Sequence, residues 1–339
     1  MTGLFRSLAA ALLALGFASS LAVPGHAAPK ITVAVGGADC LCYLPVVLAE
    51  QLGAFDRAGV DVELVSFKGG SQALTAVLGG SADVVAGYFD HCVNLAAKGE
   101  VLQAFVVYDR YPGLALVVSP KHAIASVADL AGKTVGVSAP GSSTDFFLRY
   151  LLGRNGVDPE SVTVTGIGIG GTAVAGMGKG IVVAAVMLDP ALTILQGRFE
   201  DLAILVDART EADTLAVFGS EYPGGVLYAR GDWIAKNGPS AQALTNAVLE
   251  ALDWIAAHSP EEIMARMPEE LVGPDKALYL AALRNTIPMY SRTGLMDPRG
   301  AEAVRVLLGR SVPEIAKADI DLAKTYTNSF VEKARAGGN

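Results

Sequence analysis

The chain has 339 residues, 52 % of them hydrophobic and 18 % charged, and a formal net charge of −8. Its Lys and Arg do not cluster, which sets aside a nucleic-acid-binding face, because neutralising phosphates needs one. The length suffices for two lobes with cores of their own, and after the N-terminal run no stretch is long and uniform enough for a membrane span.

Arg6 is the only charged residue before Lys30. An apolar run from Leu8 to Val23 follows it and ends in Val23-Pro24-Gly25-His26-Ala27-Ala28. A positive start, a short apolar core and a small-residue exit predict a cleavable secretory signal over residues 1–27. No cysteine lies near the cut, so no lipid anchor is expected. The expectation is a free periplasmic protein, whose net charge falls from −8 to −9 once Arg6 is removed.

From Ile31 to Asp189 the pattern alternates between strands and helices. Ile31–Val35, Asp61–Phe67 and Ala82–Ala86 read as strands. Leu44–Leu52 and Ser71–Leu78 read as helices ending at glycines. This order predicts βαβ units in a mainly parallel sheet. It recurs about 100 residues later in the sequence. Thr134–Val137, Ser161–Thr165 and Ile181–Leu188 are the strands there. Thr144–Leu152 and a short segment opened by Gly170-Gly171 are the helices. Beyond the strand Val226–Ala229 the pattern is helical: Ala241–His258, Pro260–Met267, Pro274–Thr286, Pro298–Leu308 and Asp319–Ala336. These helices are expected to close around the first lobe. Ala115–Val118 and Gly225–Ala229 are the expected crossovers. The implied division is a first lobe of residues 28–114 plus 228–339 and a second lobe of residues 115–227.

Five stretches carry a family resemblance. They are Tyr43-Leu-Pro-Val-Val-Leu-Ala-Glu-Gln-Leu-Gly-Ala-Phe, Phe67-Lys-Gly-Gly-Ser-Gln-Ala-Leu, Gly80-Ser-Ala-Asp-Val-Val, Leu130-Ala-Gly-Lys-Thr-Val-Gly-Val and Met187-Leu-Asp-Pro. In order and spacing the chain resembles the nitrate/sulfonate/taurine and thiamine-precursor group of substrate-binding proteins. The resemblance implies an α/β chain with the type II periplasmic-binding-protein fold, two doubly wound lobes joined by crossover strands. It also implies a ligand held between lobes that hinge shut, and an ABC permease and ATPase as partners. The expectation is a monomer without a cofactor. Fold alone does not fix function, and some relatives are enzymes, a thiamine-pyrimidine synthase and an aromatic desulfinase among them.

Open parallel sheets bind ligands beyond the carboxyl ends of their strands. The loops there run into helices, whose N-terminal N–H groups suit a carboxylate, sulfonate or phosphate. Gly70 and Ser71 form one such entry, and Ser142, Ser143 and Thr144 another. Helix capping accounts for any one such loop; several at one sheet edge favour binding. Tyr43, Tyr88, Phe89 and Tyr222 supply an apolar wall, which points to an organic anion. Asp189 completes the edge, and Arg110 is either an anion partner or an ordinary surface residue.

Asp39-Cys40-Leu41-Cys42 and Asp90-His91-Cys92 follow the first and third strands. Several readings stay open for them. Cys40 or Cys42 pairs with Cys92, leaving one thiol over, or the three simply pack. Cys40, Leu41, Cys42, Asp90 and His91 touch an organic ligand. Thiolates and His91 hold a soft metal. Cys42 is a nucleophile activated by His91, the chemistry of the enzymatic alternative; export argues against it, and a binding protein without catalysis is the expectation. Gly166-Ile-Gly-Ile-Gly-Gly171 matches a dinucleotide fingerprint, but Gly176 and Gly178 interrupt its helix. Gly132-Lys133-Thr134 fails as a phosphate loop, because Val127 stands where its first glycine belongs.

Overall fold

A computed structural model describes residues 29–337. The signal expected at residues 1–27 lies outside the described residues. Among the described residues ten strands form two sheets. They are β1 (Lys30–Val35), β2 (Asp61–Ser66), β3 (Val84–Tyr88), β4 (Leu102–Val107), β5 (Leu114–Val118), β6 (Thr134–Val137), β7 (Thr163–Gly166), β8 (Ala184–Met187), β9 (Ile204–Ala208) and β10 (Gly225–Arg230). The first sheet has the order β2-β1-β3-β10-β4 and the second β7-β6-β8-β5-β9.

Burial explains this layering. β3 and β5 are buried along their whole length, as strands covered on both faces must be, and both read as unbroken apolar runs. The outer strands β2 and β7 carry exposed polar residues such as Asp61, Glu63 and Thr163, which blunts a free edge. In each sheet three strands pair in parallel, and one strand from the other half of the connectivity runs antiparallel between two neighbours.

Ala115–Val118 and Gly225–Ala229, expected as crossovers, are those antiparallel strands. The chain crosses in the short segments before them. The two connections are hydrogen-bonded to each other: Gly224 N donates to Asp109 O at 3.1 Å, and Asp109 N donates to Gly225 O at 3.1 Å.

The last third departs from expectation in two places. The long helix Gly238–Ala257 covers the first sheet's helices Leu44–Gln51 and Ala54–Arg57. Lys276–Thr286, however, packs on Ala191–Arg198 beside the second sheet, and Pro298–Ser311 packs on both Asp90–Ala96 and Ser143–Arg154. These two helices therefore span both sheets rather than closing around the first alone. The buried stripe Ala301, Val304, Leu307 and Leu308 has helical spacing and joins Phe146, Phe147 and Phe218 in one continuous core. Residues 319–336 are not continuously helical. A short turn at Leu322–Lys324 precedes the helix Ser329–Ala336. Between them the chain lies along β4, where Ala104 N donates to Thr325 O at 2.9 Å and Thr327 N donates to Ala104 O at 2.8 Å. The unpaired edge of β4 takes backbone that the pattern assigned to a helix. Among the described residues no helix is long and apolar enough to cross a membrane.

Candidate functional site

The loops after β1, β2, β3, β6, β7 and β8 meet between the sheets. From the first side come the turn ending at Tyr43 and the starts of Gly70–Leu78 and Asp90–Ala96. From the second come Ser138–Thr144, leading into Ser143–Arg154, then Gly170 and the Asp189-Pro190 turn. Direct bonds link the two sides. Ser71 N donates to Ser142 Oγ at 3.0 Å, Ser142 Oγ to Ser71 Oγ at 3.2 Å, and Ser71 Oγ to Pro140 O at 2.9 Å. Ser143 Oγ donates to Asp90 Oδ1 at 2.7 Å, and Tyr222 Oη to Asp90 Oδ2 at 3.3 Å. Leu41 N donates to Asp189 O at 2.9 Å.

Of the residues expected here, Tyr43, Gly70, Tyr88, Ser142, Ser143 and Thr144 line one pocket, with Leu114, Ser138, Ile169 and Leu188. Cys42 and Asp189 line a neighbouring one with Arg209, Thr286 and Met289. Each has about 10 Å³ of free space, room for one water at most, so the sides are closed on each other. Cys40, Leu41, Ser71, Phe89, Asp90, His91 and Tyr222 line neither pocket; Leu41, Ser71 and Asp90 bond across the two sides, Tyr222 donates to Asp90, His91 lies against Gly70, and Phe89 packs on Tyr326. Arg110 lies elsewhere, paired with Glu211 at 3.1 Å. Reading the loops missed Leu114, Ile169 and Leu188, because their apolar side chains look like core. It missed Arg209 because its strand β9 was not recognised.

The pocket that holds Ser142 has no Lys or Arg in its lining. The nearby Arg209 is committed to Asp207 at 2.7 Å and Asp189 at 3.6 Å. Asp189 Oδ1 also accepts from Thr193 N and Oγ1, which caps the helix Ala191–Arg198. Attraction for an anion therefore has to come from backbone N–H groups and hydroxyls. Burial pushes the Asp90 carboxyl up to about 7, against the hydrogen bonds from Ser143 and Tyr222. Burial pushes His91 down to about 4, so its imidazole is neutral at pH 7. Its Nδ1 lies 2.9 Å from Tyr228 Oη, and its buried Nε2 has no hydrogen-bond partner among the described residues. Asp39 is raised by burial. It lies so close to Gly170 that a Cβ there would come within 1.6 Å of Asp39 Oδ2.

Cys40 is bonded to Cys42, with Cα atoms 5.2 Å apart, and Cys92 is buried and free. Of the open readings, a bridge from Cys40 or Cys42 to Cys92 is not formed: the turn Leu41–Tyr43 folds the two near cysteines together, whereas Cys92 sits inside the helix Asp90–Ala96. Burial also pushes the Cys92 thiol well above its ordinary range, so it is not a thiolate. With Cys42 in a disulfide and His91 on Tyr228, the dyad of the enzymatic alternative is not assembled. Among the described residues no group of three metal-ligating side chains forms.

The family model described as "NMT1/THI5 like" matches residues 42–263. A solved structure from Bordetella bronchiseptica RB50 is 38 % identical with a TM-score of 0.88, covering 91 % of this chain and 97 % of that one. The alkanesulfonate-binding protein SsuA from Xanthomonas axonopodis pv. citri, bound to MOPS, is 19 % identical with a TM-score of 0.71, covering 89 % and 100 %. The periplasmic nitrate-binding protein NrtA from Synechocystis PCC 6803 is 14 % identical with a TM-score of 0.63, covering 92 % and 89 %. The last two likenesses show a shared periplasmic-binding-protein fold.

Proposed function

Since the chain belongs to the NMT1/THI5-like family, we propose that it is the solute-binding component of an ABC importer, which captures a small organic anion in the periplasm and hands it to a membrane permease driven by an ATPase. It acts as a monomer, without a cofactor and without catalysis. Its lobes are built on the two sheets. The first ends before Leu114 and resumes at Gly225, so that β5 and β10 each belong whole to one lobe.

One observation carries this reading. The helices Gly70–Leu78 and Ser143–Arg154 bring their N-termini to the same pocket from opposite lobes. Each end offers N–H groups and a partial positive charge to one acid group, and the hydroxyls of Ser71, Ser142 and Ser143, which donate to Pro140 O, Ser71 and Asp90 in the closed arrangement, become donors to a ligand once the lobes part. Tyr43 and Tyr88, edge to face at 6.4 Å, supply the apolar wall an organic body needs. The closed pocket is too small for such a molecule, so entry requires the lobes to part about their two connections. The sulfonate and nitrate binders among the structural neighbours support an oxyanion head group.

The test is a thermal-shift screen of the mature protein with alkanesulfonates, carboxylates, nitrate and pyrimidines, followed by calorimetry. An organic acid should raise Tm and come back chemically unchanged. Ser142→Ala should weaken it about tenfold or more, the usual loss for a donor to a charged group. A protein stabilised only by neutral or cationic compounds would refute the anion reading.

A further inference from the structure

A separate cavity of about 280 Å³ opens at the hinge, near the lower end of the range for small-molecule sites. Both connections line it, through Tyr111 on the outward segment and Pro223 on the return. Leu215 of the second lobe and Leu295 of the C-terminal segment also line it. They are 45 % and 39 % exposed, among the few large aliphatic side chains left open to solvent. Exposed apolar groups that share one concavity mark a binding surface rather than scattered surface residues.

The polar side of the cavity is asymmetric. Arg110 and Glu211 neutralise each other at 3.1 Å, and Asp297 is held by Arg299 at 2.8 Å. Arg292 makes no ion pair among the described residues. The Ser291 hydroxyl accepts from Thr293 N at 3.3 Å and Gly294 N at 2.9 Å, and the Thr293 hydroxyl accepts from Leu295 N at 3.2 Å. Each hydroxyl keeps its own proton to donate. Arg292 and the hydroxyl-bearing Ser291 and Thr293 therefore line the cavity from a single short segment. Glu221 also lines the cavity and makes no ion pair among the described residues, and its charge disfavours an occupant with more than one acid group.

We propose that the hinge cavity is a second ligand site, for a small amphiphile with an apolar body and one carboxylate. The apolar body lies between Leu215 and Leu295, and the carboxylate meets Arg292. Because its walls come from both lobes, an occupant favours the lobe arrangement in which those walls face each other. The site does not depend on what the cleft binds.

Naphthalene-2-carboxylate is a suitable probe, titrated into the mature protein by calorimetry. Saturable binding is expected, at least tenfold weaker for the neutral naphthalene-2-carboxamide, for Arg292→Ala and for Leu215→Asp, with Arg292→Lys recovering part of the loss. Both side chains are exposed, and a circular-dichroism melt verifies that each variant folds. No saturable binding at millimolar probe overturns the proposal, as does binding that neither hinge variant weakens. Loss of the probe in Ser142→Ala would assign it to the cleft and overturn the proposal as well.

Discussion

Asp90 and His91 are neighbours whose burial acts in opposite directions on pH-dependent stability. The carboxyl of Asp90 rises from 3.8 to about 7. Between those values the folded chain holds a proton the unfolded chain has lost, so stability falls as pH rises through that window. His91 drops from 6.5 to about 4. Its contribution is present above 6.5 and is lost as pH falls toward 4. In the wild type the two slopes oppose each other from about pH 4 to 6.5. Asp90→Asn keeps an acceptor for Ser143 and removes one slope. Its Tm should therefore rise more between pH 4.5 and 6.5 than that of the wild type, as differential scanning fluorimetry can show; an unchanged difference would mean Asp90 is ionised in the folded chain. The cysteines allow a second prediction. Alkylating the denatured, unreduced protein should label Cys92 alone, and all three cysteines only after reduction; label on Cys40 or Cys42 before reduction would deny their bond. Both clusters stood out in the sequence, but the pairing was not legible there. Three cysteines allow three pairings, and the choice is made by the turn at Leu41–Tyr43 and by the burial of Cys92.

The helix Gly171–Lys179 begins where Asp39 crosses from the first lobe. Gly170 has no side chain, and a Cβ there would come within 1.6 Å of Asp39 Oδ2 and 2.5 Å of its Cγ. Gly170→Ala should thus cost about 1–3 kcal/mol by overpacking. Asp39→Ala in the same chain should recover most of it, because the clash disappears with the carboxylate. Chemical denaturation of the two single variants and the double closes the cycle, and additive losses would show that the two residues do not meet. At this scale the sequence announced β1, β2, β3 and β6–β8 through apolar runs between glycines. β4 and β9 were not legible, because each is placed by a partner from the other half of the connectivity, β10 or β5. That partnership is tertiary and leaves no local period. The reading of 319–336 as helix failed for the same reason: the edge of β4 attracts Thr325–Thr327 more strongly than helical propensity does.

Across the whole molecule, the repeated order of elements foretold two sheets of like topology but not what joins them. An amphipathic stripe says that one face of Pro298–Ser311 is buried, not which lobe buries it. In the structure it is both, since this helix packs on Asp90–Ala96 and on Ser143–Arg154. Leu307 and Leu308 lie against a small gap that Phe147, Phe218 and Tyr222 also line, and Phe218 stacks on Tyr222 at 4.7 Å. Part of that contact is made by second-lobe groups, so it depends on how the lobes sit. Leu308→Ala should lower stability by about 2–5 kcal/mol, as for a buried leucine that leaves a cavity. If the helix loses hold of one lobe when the cleft opens, truncation also weakens the closed arrangement relative to the open one. Small-angle scattering of the unliganded variant should then give a larger radius of gyration than the wild type, and a ligand should restore the compact value at higher concentration. A lower Tm with unchanged dimensions would mean that the helix rides with both lobes, and that the connections at Tyr108–Gly113 and 219–224 alone absorb the motion.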